Sequence, residues 1–322
     1  MNIAIIGLGS MGKRRLRLLR QYDKTFKIYG IESNIERAKQ VSYELGIEVY
    51  SSIEEISRIV DLDGAFVCTS PLSHCSIINE LVDRNINVFT EINLVADGYE
   101  RFMDVNNCKL FLSSTFLYRR DIQWITQKIK NETVNYIYHT GQYLPDWHPW
   151  ENYKDFFVGD KKTNGCREMF AIELPWIIDC FGKIKNIKVI KSKMTKLNIN
   201  YCDNYILQVE HCNGNKGLLA VDVIARKAIR RLEVYNENIH VFWNGTPNSL
   251  KSYDIKATEL NDIETYNMIV KDKNYCDNII ENAYMDEIDA FITWLTGDDS
   301  KVKYCFNKDF EVIKLIDQIE KE

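Results

Sequence analysis

The first 120 residues alternate short apolar runs with longer segments in which apolar residues recur at helical spacing. The apolar runs predict strands at residues 3–6, 27–31, 49–50, 65–68, 87–90 and 110–113. Helices are predicted between them at residues 13–21, 35–45, 53–59, 74–84 and 99–106. Apolar strands separated by helices of this length predict a parallel sheet that is covered on both faces.

After Tyr118 the pattern changes to extended segments in which polar and apolar residues alternate. These predict strands at residues 136–143, 187–194, 204–211, 218–225, 231–235 and 240–243. Helices are predicted at residues 121–130, 167–181, 284–295 and 310–321. The sequence therefore predicts a Rossmann-type α/β domain over residues 1–118 and an α+β domain with a mostly antiparallel open sheet over residues 119–322. The last helix is amphipathic and suits packing against either domain.

Composition and charge indicate which partners and which cellular compartment to expect. Hydrophobic residues make up 45% and charged residues 27% of the 322 residues, and the formal charge of −5 gives no electrostatic reason to expect nucleic acid or an anionic membrane as a partner. The nine cysteines are an odd number and contain no C-x-x-C pair, so we predict no metal site and a reducing compartment. No basic signal region and no apolar run of about 20 residues is present, and the sequence therefore predicts a cytoplasmic protein.

A glycine-rich turn follows the first predicted strand. Gly7, Gly9 and Gly12 form a G-x-G-x-x-G pattern that opens the first predicted helix. The first glycine permits a tight turn, the second allows a pyrophosphate to approach the backbone, and the third allows the helix to pack closely on the strand. The free amides and positive dipole of the helix N-terminus favour phosphate binding, so we expect a dinucleotide here.

An acidic residue lies at the position where a dinucleotide site binds the adenosine ribose. Glu32 ends the second predicted strand, 20 residues after Gly12. Its carboxylate would accept hydrogen bonds from the adenosine ribose and would repel a 2′-phosphate, which favours NAD(H) over NADP(H). The alternative is a structural glycine turn and an unrelated solvated glutamate. The order and spacing of strand, loop, helix and acidic residue disfavour this alternative.

With these motifs the chain resembles the Gfo/Idh/MocA family of dinucleotide-dependent oxidoreductases, which includes glucose–fructose oxidoreductase and inositol dehydrogenase. The segment from Thr69 to His74, Thr-Ser-Pro-Leu-Ser-His, is similar to the T-x-P-x-x-H loop of that family, which passes the cofactor near its nicotinamide half. Glu91 matches the glutamate of the family's Glu-Lys-Pro motif. The glycine loop and the resemblance together imply the following cofactor-binding residues: Gly7, Gly9, Ser10, Met11, Gly12, Glu32, Thr69, Ser70, Pro71, His74, Glu91 and Asn93.

Two positions depart from the family pattern. The family's catalytic lysine falls on Ile92 and its proline on Asn93, and an aliphatic side chain cannot transfer a proton. A second family motif in the C-terminal domain aligns its aspartate with Glu168 and its histidine with Ile172, in a register that depends on Glu173 and on Phe181-Gly182. The resemblance therefore implies an atypical member of the family.

Other side chains are candidates for the proton transfer and substrate binding that the family's lysine and histidine would provide. The segment from Gln142 to Lys154 combines aromatic residues, prolines and a histidine where the family places a substrate-binding loop, and we consider His148 and Glu168 as catalytic candidates. Tyr143, Trp147 and Trp150 offer flat faces to a sugar ring, with packing of a long loop as the alternative. Arg119 and Arg167 are candidate anion contacts, with structural ion pairs as the alternative.

Three functions remain open from the sequence. The first is an NAD(P)-dependent oxidoreductase that transfers a hydride between nicotinamide and a hydroxyl carbon of a sugar, nucleotide sugar or similar polyol. The second is a protein that holds NAD(H) without net turnover, and the third is an NAD-using lyase or hydrolase that oxidises its substrate transiently. The resemblance also implies a homodimer or homotetramer, formed through the open face of the C-terminal sheet.

Overall fold

The computed structural model describes residues 1–147, 152–271 and 279–322. The chain divides into two compact units. The first comprises Met1–Ser114 and Tyr284–Glu311, and the second comprises Thr115–Ala283 and Val312–Glu322. The end of the chain therefore contributes to both units.

The first unit is a doubly wound α/β fold. Its parallel strands are β1 (Asn2–Ile6), β2 (Lys27–Ile31), β3 (Val49–Tyr50), β4 (Gly64–Val67), β5 (Asn87–Thr90) and β6 (Leu110–Leu112). They lie in the order β3-β2-β1-β4-β5-β6. The order reverses at β1, and the carboxyl ends of strands at such a switch point are where open α/β sheets bind ligands.

Helices connect these strands as the apolar spacing predicts. They are α1 (Ser10–Tyr22), α2 (Ile35–Leu45), α3 (Ile53–Ser57), α4 (Pro71–Asp83) and α5 (Tyr99–Met103). Strand β4 is buried along its whole length, and β1 and β5 are buried except at their first residues, because helices cover both faces of the sheet.

A segment near the end of the chain completes the core of the first unit. Helix α8 (Glu281–Leu295) carries Phe291, whose ring meets the rings of Phe66, Phe89 and Phe111 edge-on, with centroids 5.4 to 5.9 Å apart. These three phenylalanines lie side by side on β4, β5 and β6. Burial of four aromatic rings is a strong driving force, so the segment is an integral part of this fold.

The second unit is built on an eight-stranded sheet. Its strands are β7 (Asn135–Gly141), β8 (Ile184–Ser192), β9 (Asn204–His211), β10 (Lys216–Asp222), β11 (Ile229–Tyr235), β12 (His240–Trp243), β13 (Lys251–Asp254) and β14 (Glu259–Asp262). The order is β14-β13-β12-β11-β7-β10-β9-β8, and every pair is antiparallel except β7 with β10.

One face of this sheet is covered by helix α7 (Gly165–Phe181), which follows α6 (Arg120–Lys128) along the chain. Phe181 of α7 stacks on Tyr136 with ring centroids 4.1 Å apart, and Trp176 meets Tyr138 edge-on at 5.2 Å. On the opposite face Ile137, Leu218, Ile206 and Ile190 are each 43 to 71% exposed within this chain. The sheet is therefore half-covered.

The predicted fold class is confirmed. The alternating pattern predicts the parallel sheet of the first unit, and the period-two pattern predicts the mostly antiparallel sheet of the second. Strands β13 and β14 were not predicted, because their residues are mostly polar and exposed. The last helix, α9 (Phe306–Lys321), begins four residues before the predicted start at residue 310.

Candidate active site

The glycine loop joins β1 to α1 at the carboxyl edge of the first sheet. Gly7 has a φ of +86°, and a Cβ atom there would lie 2.8 Å from Thr69 Cγ2. A Cβ on Gly12 would lie 2.0 Å from the carbonyl oxygen of Gly7, because the helix packs directly on the turn. A Cβ on Gly9 would meet no described atom within 4 Å. The first and third glycines are thus required by the fold, and the second borders open space.

The N-terminus of α1 is available at that open space. Gly9 occupies the N-cap position of α1 and has no side chain that could bond to the first-turn amides. Its carbonyl oxygen accepts a hydrogen bond from the amide of Lys13 at 3.0 Å. Ser10 is exposed and Met11 is half-buried. The first-turn amides of a helix have no acceptor within the helix, and the N-cap position of α1 supplies no side-chain acceptor. These amides and the helix dipole are therefore suited to a pyrophosphate, and its binding here stays a prediction.

Glu32 is fixed beside this loop by the backbone. One carboxylate oxygen accepts the amide of Leu8 at 3.0 Å, and the other accepts the amide of Asn34 at 2.9 Å. Arg37 of α2 lies 3.5 Å from the same carboxylate. Glu32 is buried, and its Oε1 atom, which accepts only the Asn34 amide among the described residues, retains a lone pair that a ribose hydroxyl can use.

The loop after β4 is held by a buried histidine. Ser70 caps α4, and Pro71 occupies its first turn. His74 Nε2 lies 3.0 Å from the carbonyl oxygen of Thr69, and His74 Nδ1 lies 2.6 Å from Asn93 Oδ1. Burial lowers the pKa of His74. The histidine thus connects the Thr69 loop to the segment after β5, and its predicted contact with the cofactor stays a prediction.

A buried polar chain continues from Asn93. Its amide donates to the hydroxyl of Tyr99 at 2.9 Å, and that hydroxyl donates to Asp309. Tyr304 donates to the other oxygen of Asp309 at 2.8 Å. Burial raises the pKa of Asp309 to about 6. Sequence reasoning missed this chain, since Tyr99 and Asp309 are 210 positions apart.

Glu91 faces the interior of the first unit. Its carboxylate accepts two hydrogen bonds from Arg15, the nearer at 2.6 Å, and Arg15 also pairs with Glu287 at 2.8 Å. The side chain of Glu91 is therefore committed to a buried ion pair, and its predicted contact with the cofactor stays a prediction. Ile92, the next residue, is half-exposed at the carboxyl edge of the sheet.

In the second unit, the start of α7 carries Glu168. Its Oε2 atom is buried and has no hydrogen-bond partner among the described residues. Burial raises the pKa of this carboxyl to about 8. A carboxyl group that has an unpartnered buried oxygen and a pKa of about 8 is suited to general acid–base chemistry.

Glu173 lies five residues further along α7 and has the opposite surroundings. It accepts hydrogen bonds from Tyr138 and Trp176, each at 2.7 Å, and from Arg230 at 2.9 Å. Thr140 donates to it at 3.3 Å. This carboxylate is fully paired and connects helix to sheet, which is a structural role.

Both predicted anion contacts are engaged in ion pairs. Arg119 is buried and bonds to Asp121 through Nε at 3.0 Å and through Nη2 at 2.5 Å. Arg167 pairs with Asp317 at 2.7 Å and with Glu320 at 2.5 Å. The structural alternative therefore accounts for the observed contacts of both arginines, and their predicted substrate contacts stay predictions.

The predicted aromatic loop is described in part. Tyr143 is half-buried with the guanidinium of Arg226 4.1 Å from its ring centroid, and the Trp147 indole donates to the carbonyl oxygen of Gln142 at 2.9 Å. Trp147 also comes within 3.5 Å of a Cβ built on Gly165, at the start of α7. The structure thus brings Trp147 near the helix that carries Glu168. His148 and Trp150 lie outside the described residues.

Metal-ligand clusters and membrane-spanning helices are both absent from the described residues. No group of three or more His, Cys, Asp or Glu side chains that could hold a metal ion occurs there. Across the same residues, no helix combines the length and the apolar character needed to cross a membrane.

Comparison with known proteins places these observations in a family. Residues 1–97 match the sequence profile of the Gfo/Idh/MocA family, which is described as an oxidoreductase family with an NAD-binding Rossmann fold. No curated protein sequence matches the chain.

Solved structures share the fold over the whole chain. A levoglucosan dehydrogenase in complex with NADH and levoglucosan superposes with a TM-score of 0.81 at 15% identity, covering 100% of this chain and 96% of that one. The WlbA dehydrogenase from Bordetella pertussis, in complex with NADH and UDP-GlcNAcA, gives 0.79 at 13% identity, covering 99% and 95%. A myo-inositol dehydrogenase from Corynebacterium glutamicum gives 0.76 at 15% identity, covering 100% and 96%.

The profile match covers the glycine loop, Glu32, the Thr69–His74 loop and Glu91, and it confirms the resemblance on which the sequence analysis depends. At identities of 13 to 15%, the solved structures establish the shared fold. Residues 1–97 of this chain therefore carry the sequence pattern of the Gfo/Idh/MocA oxidoreductase family.

Proposed function

We propose that this protein is an NAD-dependent oxidoreductase that acts on a hydroxyl carbon of a sugar, nucleotide sugar or similar polyol. The observation that carries the proposal is the glycine loop, where open space at Gly9 adjoins the unpaired amides of α1 and the fixed carboxylate of Glu32. Solved structures with the same fold hold NADH together with levoglucosan or UDP-GlcNAcA, which supports this substrate class.

Glu32 supports NAD(H) as the cofactor in preference to NADP(H). Its two oxygens are oriented by the amides of Leu8 and Asn34, so the carboxylate is already positioned to accept a ribose hydroxyl. A 2′-phosphate in that position would bring additional negative charge against a buried carboxylate.

Glu168 is proposed as the group that exchanges the substrate proton. When bound, the nicotinamide supplies the hydride acceptor or donor. In the oxidation direction, Glu168 in its ionised form takes the hydroxyl proton, and in the reduction direction its protonated form returns that proton to the new hydroxyl. Its raised pKa supports both, because each form is accessible near pH 8.

The second unit is proposed to bind the substrate. Trp147 and Tyr143 are half-buried aromatic side chains, and Trp147 lies near the start of α7. Flat aromatic faces suit the apolar side of a sugar ring. The exposed row of Ile137, Leu218, Ile206 and Ile190 is a large apolar surface, and it supports a homo-oligomer in which a second copy covers this face.

A second candidate function follows from Ile92. Because the position of the family's lysine holds a half-exposed aliphatic side chain, a protein that binds NAD(H) without net turnover is the competing proposal. An NAD-using lyase or hydrolase with transient oxidation is a third.

One experiment separates the three. NAD binding is measured by calorimetry, and sugars and nucleotide sugars are then added while nicotinamide absorbance and products are followed. The proposal expects net NADH formation. Binding without conversion would favour the second function, and product without net NADH would favour the third. Failure to bind NAD would overturn all three.

A further inference from the structure

The buried polar chain in the first unit consists of His74, Asn93, Tyr99 and Asp309. Each of these residues is at most 4% exposed. We infer that this chain is complete only when it holds one ionisable proton, and that the proton lies on Asp309. Asp309 thereby acts as a positioning residue for the Thr69 loop and the segment after β5. The proton count goes beyond the proposed function, whereas its consequence for NAD affinity rests on that function.

The histidine end of the chain limits where hydrogens can lie. His74 Nε2 lies 3.0 Å from the carbonyl oxygen of Thr69. A carbonyl oxygen only accepts, so Nε2 carries a hydrogen. In a neutral imidazole the other nitrogen, Nδ1, then has a lone pair and no hydrogen. Nδ1 lies 2.6 Å from the side-chain amide of Asn93, and this contact needs a hydrogen from one side or the other.

Three contacts connect Nδ1 to the carboxyl group of Asp309, and each needs one hydrogen. They join His74 to Asn93, Asn93 to Tyr99, and Tyr99 to Asp309. The Asn93 amide places one hydrogen in the chain, because it turns its nitrogen to one neighbour and its oxygen to the other. The Tyr99 hydroxyl places a second. The third hydrogen must therefore come from His74 or from Asp309.

Either end satisfies the chain when it is protonated. An imidazolium can donate along the chain to an ionised Asp309, or a protonated Asp309 can donate along it to a neutral His74. In the second case the carboxyl donates to Tyr99, Tyr99 donates to the amide oxygen of Asn93, and the amide nitrogen donates to His74 Nδ1. Without this proton two acceptors must face each other in a buried site, whichever way the amide is turned.

Burial favours the arrangement in which both ends are neutral. Two charges separated inside a protein are more costly than two neutral groups. Burial lowers the pKa of His74 and raises the pKa of Asp309 to about 6. Because loss of the proton would also leave two acceptors in contact, we expect Asp309 to remain protonated at pH 7.

Neighbouring groups do not supply the third hydrogen. The Thr90 hydroxyl lies 3.3 Å from His74 Nδ1 and donates to the carbonyl oxygen of Glu91 at 3.1 Å, so its hydrogen lies outside the three contacts. Tyr304 donates to the Asp309 oxygen that is not part of the chain, at 2.8 Å. The other titratable or charged side chains described around the chain are Glu91 with its partner Arg15, Cys75, Asp97 and Cys305. None of these described side chains bonds to a member of the chain.

The first test reads both ends of the chain in the intact wild-type protein. Histidine labelled with ¹⁵N and aspartate labelled with ¹³C report the protonation of the two side chains by NMR at pH 7. Asp309→Asn and His74→Phe assign the signals. We expect a protonated Asp309 carboxyl and a neutral His74 with its hydrogen on Nε2. An ionised Asp309 at pH 7 would overturn the inference.

The second test asks whether the proton depends on the far end of the chain. His74→Phe removes the acceptor at Nδ1, so the remaining three side chains can form their hydrogen bonds without an ionisable proton. The pKa of Asp309 should then fall by at least about one pH unit. Tyr304→Phe is the matched control at the same carboxyl group, because it removes a donor to the ionised form and should raise that pKa. An unchanged or raised pKa of Asp309 in His74→Phe would contradict the shared chain.

The third test concerns the positioning role, which rests on the proposed function. His74 connects the Thr69 loop to Asn93, so a chain with two facing acceptors loosens two predicted cofactor contacts. The NAD affinity of the wild type, measured by calorimetry, should therefore fall several-fold as pH rises past the point where Asp309 ionises. Asp309→Asn should abolish this fall, because its amide supplies the third hydrogen at every pH.

The control and the contrary outcomes are distinct in this third test. Tyr304→Phe should retain the fall in NAD affinity and move it to higher pH. Equal pH profiles of the wild type and Asp309→Asn would overturn the positioning role. If the wild type binds no NAD at any pH, the proposed function fails, while the NMR measurements still decide the protonation of the chain.

Discussion

The glycine loop of the first unit and helix α7 of the second each present a carboxylate with a proposed function, and the two are held in opposite ways. Glu32 receives one backbone amide on each oxygen. Glu168 has a buried oxygen that receives no hydrogen bond from any described residue. The surroundings of Glu32 therefore suit the ligand recognition proposed for it, and those of Glu168 suit the proton exchange proposed for it.

The difference shows that recognition and reactivity need different environments. A carboxylate that is fixed by amides is held in one orientation, which suits selection between two ribose substituents. Burial raises the pKa of the Glu168 carboxyl, because water is excluded and no described residue donates a hydrogen bond to its Oε2 atom in place of water. Glu173, on the same helix, accepts hydrogen bonds from four side chains, so hydrogen-bond donors are available around α7. The unpartnered oxygen is therefore particular to Glu168 in this comparison.

The largest expected effects come from valine substitutions in the glycine loop. One should prevent folding, and the other should weaken NAD binding in a folded protein. Gly12→Val should prevent folding of the first unit, because its Cβ would lie 2.0 Å from the Gly7 carbonyl oxygen. Gly9→Val should leave the fold intact and weaken NAD binding at least about 100-fold, because its side chain would fill the proposed pyrophosphate space. Thermal unfolding and calorimetry measure the two outcomes. Unchanged NAD affinity in Gly9→Val would remove the basis of the proposed function.

The next effect concerns Glu168. Replacing it with Gln should lower kcat for alcohol oxidation by about 100-fold or more while leaving NAD affinity unchanged, since a general base contributes about 10² to 10⁴. In the wild type, the oxidation rate should rise with pH through about 8, as Glu168 ionises, and this rise should be absent from the variant. A variant with the wild-type rate and pH profile would exclude Glu168 as the base.

Stability provides an independent check on the same residue. Its folded pKa, about 8, is above its usual value of 4.5, so the native state holds a proton that the unfolded state releases between these pH values. Glu168 therefore destabilises the fold increasingly as pH rises from 4.5 to 8. Glu168→Gln should be as stable as the wild type at pH 4 and more stable at pH 9, by an amount on the order of a few kcal/mol. Denaturant titrations at both pH values measure this difference.

Glu173 is the matched contrast on α7. Glu173→Gln leaves Arg230 beside a neutral amide and disrupts a buried network, so we expect a loss of about 3 kcal/mol in unfolding free energy. The effect on kcat should be small under conditions where the variant remains folded. A large loss of kcat with unchanged stability would reverse the roles assigned to the two glutamates.

The sequence predicts the glycine loop and Glu32 correctly as neighbours because local chain geometry brings them together. Strand, turn and helix place Gly7, Gly9 and Gly12 at one edge of the sheet, and the adjacent strand ends at Glu32. Few alternatives exist once the strands are parallel and the connections are short.

The sequence does not predict features that depend on distant residues. The chain from His74 through Asn93 and Tyr99 reaches Asp309, and no local pattern indicates that contact. Likewise, Arg167 appears in the sequence as an available cation, but carboxylates 150 and 153 positions later pair with it. The partners of a side chain are set by packing, which periodicity does not reveal.

The smallest expected effect comes from restoring the family's lysine at position 92. Ile92 is half-exposed, so Ile92→Lys should change the unfolding free energy by no more than about 0.5 kcal/mol. If position 92 lies near the reacting carbon, a positive charge there favours the deprotonated hydroxyl. The oxidation rate should then increase several-fold at neutral pH, and its rise should move to lower pH. Ile35→Lys, at a more exposed isoleucine of the same unit, is the control for added charge and should leave the rate unchanged. If the wild type is an efficient dehydrogenase and Ile92→Lys has no more effect than Ile35→Lys, then the segment after β5 does not occupy the catalytic position that the resemblance implies. In that case the proton chemistry attributed to Glu168 would have to be explained without reference to a missing lysine.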